Sequence, residues 1–207
     1  PPTPRSVAAP VQASGVRRSR ALSYGFDVFA NTTAAAVRLT LRNMGSTGAV
    51  LHVYDRLRLA EAPRRYTIEY GKSLEDEWPA GPYDLFVLGP NGFHRHFAGA
   101  GGEAVAVSAV AVGRKIQLRL KNNGKALTFS VAVNAYTGKL KPWTSKLASN
   151  GSANHLWDLS GTSGWYDLTV SAKDLPGWSQ RFAGRLDNGQ PSMSDPAMGG
   201  AAVMTYD

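Results

Sequence analysis

The chain has 207 residues, 43% hydrophobic and 18% charged, with 22 Gly and 12 Pro, which excludes a disordered or coiled-coil protein and suits a turn-rich, all-β one. It contains no Cys, which excludes disulfide staples, Cys-ligated zinc, iron–sulfur clusters and a thiol nucleophile, and leaves stability to a packed core. The net charge of +8 favours anionic surfaces such as phospholipid headgroups, nucleic acid or acidic polysaccharide, yet only Arg17, Arg18 and Arg20 cluster tightly; the other basic residues read as a solvated surface.

Residues 1–20 hold four prolines and no periodicity, and read as a Pro-rich linker. They show no apolar signal core, and no stretch of the chain approaches the roughly 20 apolar residues of a membrane span. Residues 21–99 break into short β-like runs bounded by Gly, Asn and Pro: LSYGFDVFA, AAAVRLTLRN, AVLHVYD, RRYTIEY, SLEDEW, GPYDLFVLG and GFHRHFAG. About seven strands are what an immunoglobulin-type sandwich needs. In VRLTLRN, Val37, Leu39 and Leu41 face one way and Arg38, Thr40 and Arg42 the other, the mark of a strand with one wet face. In YDLFV, Tyr83, Leu85 and Val87 point into the core, and GPNG over 89–92 turns the chain into the last strand.

The pattern then recurs. IQLRLKNNG (116–124) repeats VRLTLRNMG (37–45), WYDLTV (165–170) repeats PYDLFV (82–87), and GWSQRFAG (177–184) repeats GFHRHFAG (92–99). Three matched blocks in the same order indicate a duplicated module. The second copy begins at EAVAVSAVAV, after the Gly-rich stretch 98–102, and continues through LTFSVAVNAY, KPWTSKLA and ANHLWDLS. The expected architecture is all-β: two tandem immunoglobulin-like antiparallel β-sandwich modules, 21–99 and 103–185, rather than a single continuous sheet, with Tyr83 equivalent to Tyr166 and Phe97 to Phe182. The short connection allows contact or restricted hinging, not free tumbling. Residues 186–207 lose periodicity and read as a loosely ordered tail.

The search for chemistry finds little. His94 and His96 sit at strand spacing on one face, as a metal pair would, but no third ligand is identifiable and the repeat places Ser179 and Arg181 there, so they read as surface histidines. Glu75, Asp76 and Glu77 lack the spaced oxygens and turn glycine of a calcium loop, and read as a solvated edge. There is no nucleophile elbow, P-loop, dinucleotide fingerprint or HExxH segment, and His52 and His155 have no triad context, so no catalytic residue and no cofactor are assigned. Trp143, Trp157, Trp165 and most tyrosines read as core, with Tyr83 and Tyr166 as corner-pinning residues. Phe93 and Trp178 each follow a Pro-containing turn, GPNG or DLPG, and are the aromatics expected to be partly exposed; with Arg17, Arg18 and Arg20 they are the candidates for lipid or partner contact.

GPYDLFVLGPNGFHRHFAG (81–99) resembles the hallmark segment of the C-terminal domain of bacterial phospholipase C, carried in tandem by non-haemolytic and haemolytic phosphocholine-preferring enzymes. The resemblance covers residues 21–186; the second module keeps YDL and RFAG but has KDLPGW in place of GPNGF. It implies an accessory role in a secreted or periplasmic enzyme whose larger N-terminal domain cleaves the phosphodiester to diacylglycerol and phosphocholine. None of that domain's catalytic residues can be carried onto this chain. The implied partners are the N-terminal catalytic domain and a phospholipid membrane surface, with no nucleic acid expected. A free-standing carbohydrate- or protein-binding adhesion module stays open beside this reading.

Overall fold

The computed structural model describes residues 15–199. A two-residue strand β1 (Arg18–Ser19) precedes the first module, β2 (Phe26–Thr32), β3 (Ala36–Asn43), β4 (Ala49–Asp55), β5 (Arg64–Ile68), β6 (Ser73–Pro79), β7 (Tyr83–Leu88) and β8 (His94–Gly99). The second comprises β9 (Val105–Val112), β10 (Lys115–Asn122), β11 (Leu127–Val133), β12 (Trp143–Leu147), β13 (Ser152–Asp158), β14 (Trp165–Ala172) and β15 (Ser179–Arg185), and β16 (Ser192–Met193) follows. The inward positions read from the sequence are buried, Val37, Leu39, Leu41, Ile116, Leu118 and Leu120 all at most 1% exposed, but of the expected wet face of β3 only Arg38 and Arg42 are exposed, Thr40 being 4% exposed.

The two sandwiches are not separate. β8 pairs antiparallel with β15, so the larger sheets of both modules fuse into one eight-stranded sheet of order β5-β4-β7-β8-β15-β14-β11-β12. Over it lie two three-stranded sheets, β6-β3-β2 and β9-β10-β13, whose edges β2 and β9 abut. The expectation of one sandwich per module holds for the small sheets and needs correction for the large one. The last strand of each module has a free edge, and each satisfies it with the other's backbone.

The register makes the seam a local two-fold. His96 pairs with Arg181, its own counterpart in the repeat, while Arg95 pairs with Phe182 and Phe97 with Gln180. The inward Phe97 and Phe182 rings meet edge to face at 6.2 Å, and both are fully buried in a core cluster shared by both modules. Each such ring contributes roughly 2 to 3 kcal/mol by leaving water.

Equivalent residues do equivalent work. Asn43 and Asn122, both buried, close matching corners: the Asn43 amide donates to the Thr47 and Ile68 carbonyls, and the Asn122 amide to those of Lys125 and Ala148. Each side-chain oxygen accepts from the backbone N–H two residues on, of Gly45 or Gly124. Tyr83 and Tyr166 hold the same register against Gly99 and Gly184. Their hydroxyls differ in use: Tyr83 reaches Glu103 at 3.3 Å, whereas Tyr166 accepts from the Arg95 guanidinium at 3.0 Å. Glu103 also accepts from Thr32 and from the Ala100 and Gly101 amides, which clamps the connection between the modules.

The segments flanking the modules are tied to each other. β1 pairs with β16, Arg17 exchanges hydrogen bonds with Ser194, and the Trp165 indole donates to the Met193 carbonyl. The linker and tail expectations are thus corrected where residues 15–20 and 186–199 are concerned, because backbone groups that the sequence pattern leaves unassigned find partners in one another. The remainder of both segments lies outside the described residues.

Candidate functional site

The expected histidine pair lies at the two-fold, on the outward face of the large sheet. His96 Nε2 is 2.6 Å from Asp84 Oδ1, and across the seam Arg181 makes the matching bidentate pair with Asp167, at 2.8 and 2.5 Å. Asp84 and Asp167 are the same position of the repeat, so one motif residue, the Asp of YDL, holds the central side chain of each copy. Neighbouring Arg56 and Asn134 attend the two carboxylates, at 3.7 and 2.8 Å.

His94 departs from the surface role expected of it. It is 8% exposed, its ring tilted against that of Phe86 with centroids 4.1 Å apart, and neither ring nitrogen has a hydrogen-bond partner among the described residues. Burial, with Arg181 and His96 close by, pushes its pKa down to about 4, so the ring is neutral at pH 7. It lines a hollow of about 270 Å³ with Tyr136, Trp165, Asp167 and Arg181. Among the described residues no group of three or more His, Asp or Glu side chains converges as a metal site would require, and Asp84 is already engaged by His96 and Arg56, and Asp167 by Arg181. The acidic triplet is likewise taken up: Arg38 binds Glu77 at 2.6 Å and approaches Glu75 at 3.8 Å, and Arg64 binds Asp76 at 2.7 Å.

The two turn-borne aromatics are buried, a correction to their expected exposure. Phe93 is 7% and Trp178 3% exposed. The cause is the seam. The GPNG turn, with Asn91 and Gly92 in the left-handed region (φ 54° and 71°), leans on the second module. A Cβ on Gly92 would lie 2.9 Å from the Trp165 ring, and Asn91 donates to Asp187 at 2.7 Å. Phe93 then packs on Phe26 and under the Arg95 guanidinium, while Trp178 packs edge to face on Phe129. Arg17, Arg18 and Arg20 remain exposed; Arg18 lines a cavity of about 590 Å³ with Arg114, Arg185 and Asp187.

Arg95 was missed. It is 1% exposed, donates to the His94 and Ala183 carbonyls and to Tyr166, and sits over the Phe93 ring at 4.3 Å. The signal was present: in GFHRHFAG the parity that sets Phe93 and Phe97 inward also sets Arg95 inward.

The outward faces of the two modules differ where their interiors agree. On the large sheet the first module presents Val50, His52, Tyr54, Phe86 and Leu88; the matching positions of the second are Thr128, Ser130, Ala132, Thr169 and Ser171. After β4, a 3₁₀ turn over Arg56–Arg58 leaves Leu57 and Leu59 exposed at 55% and 70%, beside a depression of about 250 Å³ lined by Tyr54, Phe86 and Leu88. The corresponding connection of the second module tucks Leu140 into the core.

Charge is divided just as unequally. Residues 18–100 hold ten Lys and Arg against eight Asp and Glu; residues 104–185 hold eleven against three. On the small sheets this has a precise location. In β3 the outward Arg38, Thr40 and Arg42 lie beside Glu77, Glu75 and Ser73 of β6. In β10 the outward Gln117, Arg119 and Lys121 lie beside Leu156, Asn154 and Ser152 of β13, so both carboxylates are gone. Counting charges by repeat would have found this.

Comparison with known proteins agrees with the repeat. The family model described as "Bacterial phospholipase C, C-terminal domain" matches twice, over residues 18–100 and 104–185. The chain is 38% identical over 211 residues to a non-hemolytic phospholipase C of Burkholderia pseudomallei, covering 95% of this chain and 30% of that protein. It is 33% identical to the non-hemolytic and 31% to the hemolytic phospholipase C of Pseudomonas aeruginosa, over 96% and 94% of this chain and 31% of each relative. It therefore spans about a third of the length of these relatives. Two fused copies of one sandwich, matched copy by copy, make this chain a member of the bacterial phospholipase C C-terminal domain family.

Proposed function

We propose that the chain is a non-catalytic accessory region of an exported bacterial phospholipase C, supporting and presenting an N-terminal phosphodiesterase domain that cleaves phosphatidylcholine to diacylglycerol and phosphocholine. The observation that carries this reading is the double match to the family's C-terminal domain in a chain one third as long as its relatives. The role is one of surfaces. No helix among the described residues is long and apolar enough to cross a membrane. The apolar patch of Leu57, Leu59, Phe86 and Leu88 suits burial against the remaining two thirds of such an enzyme, since apolar side chains grouped on one module, where the other has Thr169 and Ser171 in place of Phe86 and Leu88, mark a contact.

The test is an assay of the purified chain on phosphatidylcholine and p-nitrophenyl phosphorylcholine, with and without added zinc. No turnover is expected. Turnover that follows the purified chain and disappears in a His94→Ala, His96→Ala variant would overturn the accessory reading. For the patch, Leu59→Asp with Leu88→Asp in the full-length enzyme should lower its melting temperature while leaving that of the isolated chain within a degree or two; equal effects in both would place the leucines in local packing instead.

A further inference from the structure

We propose that the outward face of the β9–β10–β13 sheet is a docking surface for anionic phospholipid bilayers. The three strands present one continuous face. Across it run the rows Asp158, Lys115, Val112; Leu156, Gln117, Val110; Asn154, Arg119, Ser108; and Ser152, Lys121, Ala106. Lys115, Arg119 and Lys121 are exposed; Arg119 donates to the neutral Gln117 and lies within electrostatic reach of Asp27 on the abutting strand β2, and Lys121 donates to the Asn150 carbonyl. The sole carboxylate on the face, Asp158, sits at its end. At that same end Arg114 of the β9–β10 hairpin and Arg18 of β1 line one cavity, which extends the cationic field beyond the sheet.

Charge complementarity decides for an anionic partner, and the first module supplies the control. Its equivalent face carries Arg38 and Arg42 but also Glu75, Glu77 and Asp27, and the arginines are consumed by them or laid over the Phe29 ring. One fold, one register and two opposite fields show that the basic face is not a by-product of the architecture. Composition then chooses the bilayer over nucleic acid. Leu156 and Val112 stand 42% and 44% exposed among the cations, as suits a headgroup layer. It carries no aromatic ring on which bases could stack.

The proposal rests on the accessory reading for its purpose, and its test is independent of hydrolysis. The 207-residue chain is sedimented with vesicles of equal parts phosphatidylglycerol and phosphatidylcholine, and with pure phosphatidylcholine vesicles, at low and physiological salt. Binding to the anionic vesicles is expected, weakening steeply with salt because such attraction is screened within a Debye length. Each basic residue near the surface is worth about fivefold in partitioning, so Arg119→Gln with Lys121→Gln should weaken binding about 25-fold. Arg38→Gln with Arg42→Gln, the two outward arginines of the equivalent strand β3, should change it less than about twofold. All four side chains are exposed, and urea midpoints of the variants check that they fold. No sedimentation at low salt, equal losses in the two double variants, or tighter binding to duplex DNA than to anionic vesicles at the same salt would each overturn the proposal. If hydrolytic turnover were found but the vesicle results held, the accessory reading alone would fall.

Discussion

The two modules share an interior and differ in what they show to the outside. Leu85 and Leu168, Val87 and Val170, and Phe97 and Phe182 fill the same places with the same or nearly the same side chains. Outside, aromatic and aliphatic residues on the first module's large sheet become Ser, Thr and Ala on the second, and the carboxylates beside β3 become Asn154 and Leu156 beside β10. Interior positions are held by packing, which penalises a change of even one methylene, whereas an exposed position costs little to alter. Where two copies built on one register diverge in a concerted way, a coherent patch on each, the divergence points to separate tasks for the two outer surfaces.

The sharpest way to break the comparison is at an interior position where the copies disagree in charge, Arg95 against Gln180. Arg95→Ala removes a buried cation and strands the Tyr166 hydroxyl and the Ala183 carbonyl; it should cost about 3 to 5 kcal/mol in urea unfolding. Gln180→Ala should cost about 1 to 2 kcal/mol. Comparable losses at the two sites would mean that Arg95 is held by shape alone.

A smaller effect is expected from pH at His94, a position where the second module has Ser179. Folded His94 titrates near 4, well below an unfolded histidine near 6.5, so the unfolded chain takes up the proton first. Its contribution is complete above about pH 6.5, shrinks as pH falls towards 4 and is constant below that. Between pH 7.5 and 4.5 the loss should be about 2 to 3 kcal/mol smaller in a His94→Gln variant than in the parent. Parallel pH profiles for the two proteins would remove His94 from the account.

Asn43→Ala and Asn122→Ala sharpen the likeness rather than the difference. Each leaves buried carbonyls without a donor, and each should cost about 2 kcal/mol, equal to within about 0.5. The smallest effect belongs to Leu59→Ser, within about 0.5 kcal/mol in the isolated chain, since the side chain is exposed and packs on little.

How much of this was readable from the sequence follows from the same division. The duplicated blocks, the strand parity and the inward residues were legible because a strand with one buried face must alternate, and equivalent cores must repeat. The fusion through β8 and β15 was not, since an edge that will be paired and one that will face water carry the same alternation. For the same reason Phe93 and Trp178 looked exposed: nothing local to GPNG announces that Trp165, over 70 positions away, will sit on Gly92. Arg95 lay in plain view at an inward position, hidden only by the habit of reading Arg as a surface residue.

The pairing of β8 with β15 has one more consequence. Each is the terminal strand of its copy, so a polypeptide carrying a single copy would expose a bare strand edge and a half-covered core at that side. Self-association of such a polypeptide through β8 would regenerate the arrangement seen here, the two-fold passing where His96 now meets Arg181. The connection over 99–102 makes that association intramolecular, so its strength no longer depends on concentration. Cleaved within those residues, the two halves should stay together as a complex rather than drift apart as independent domains.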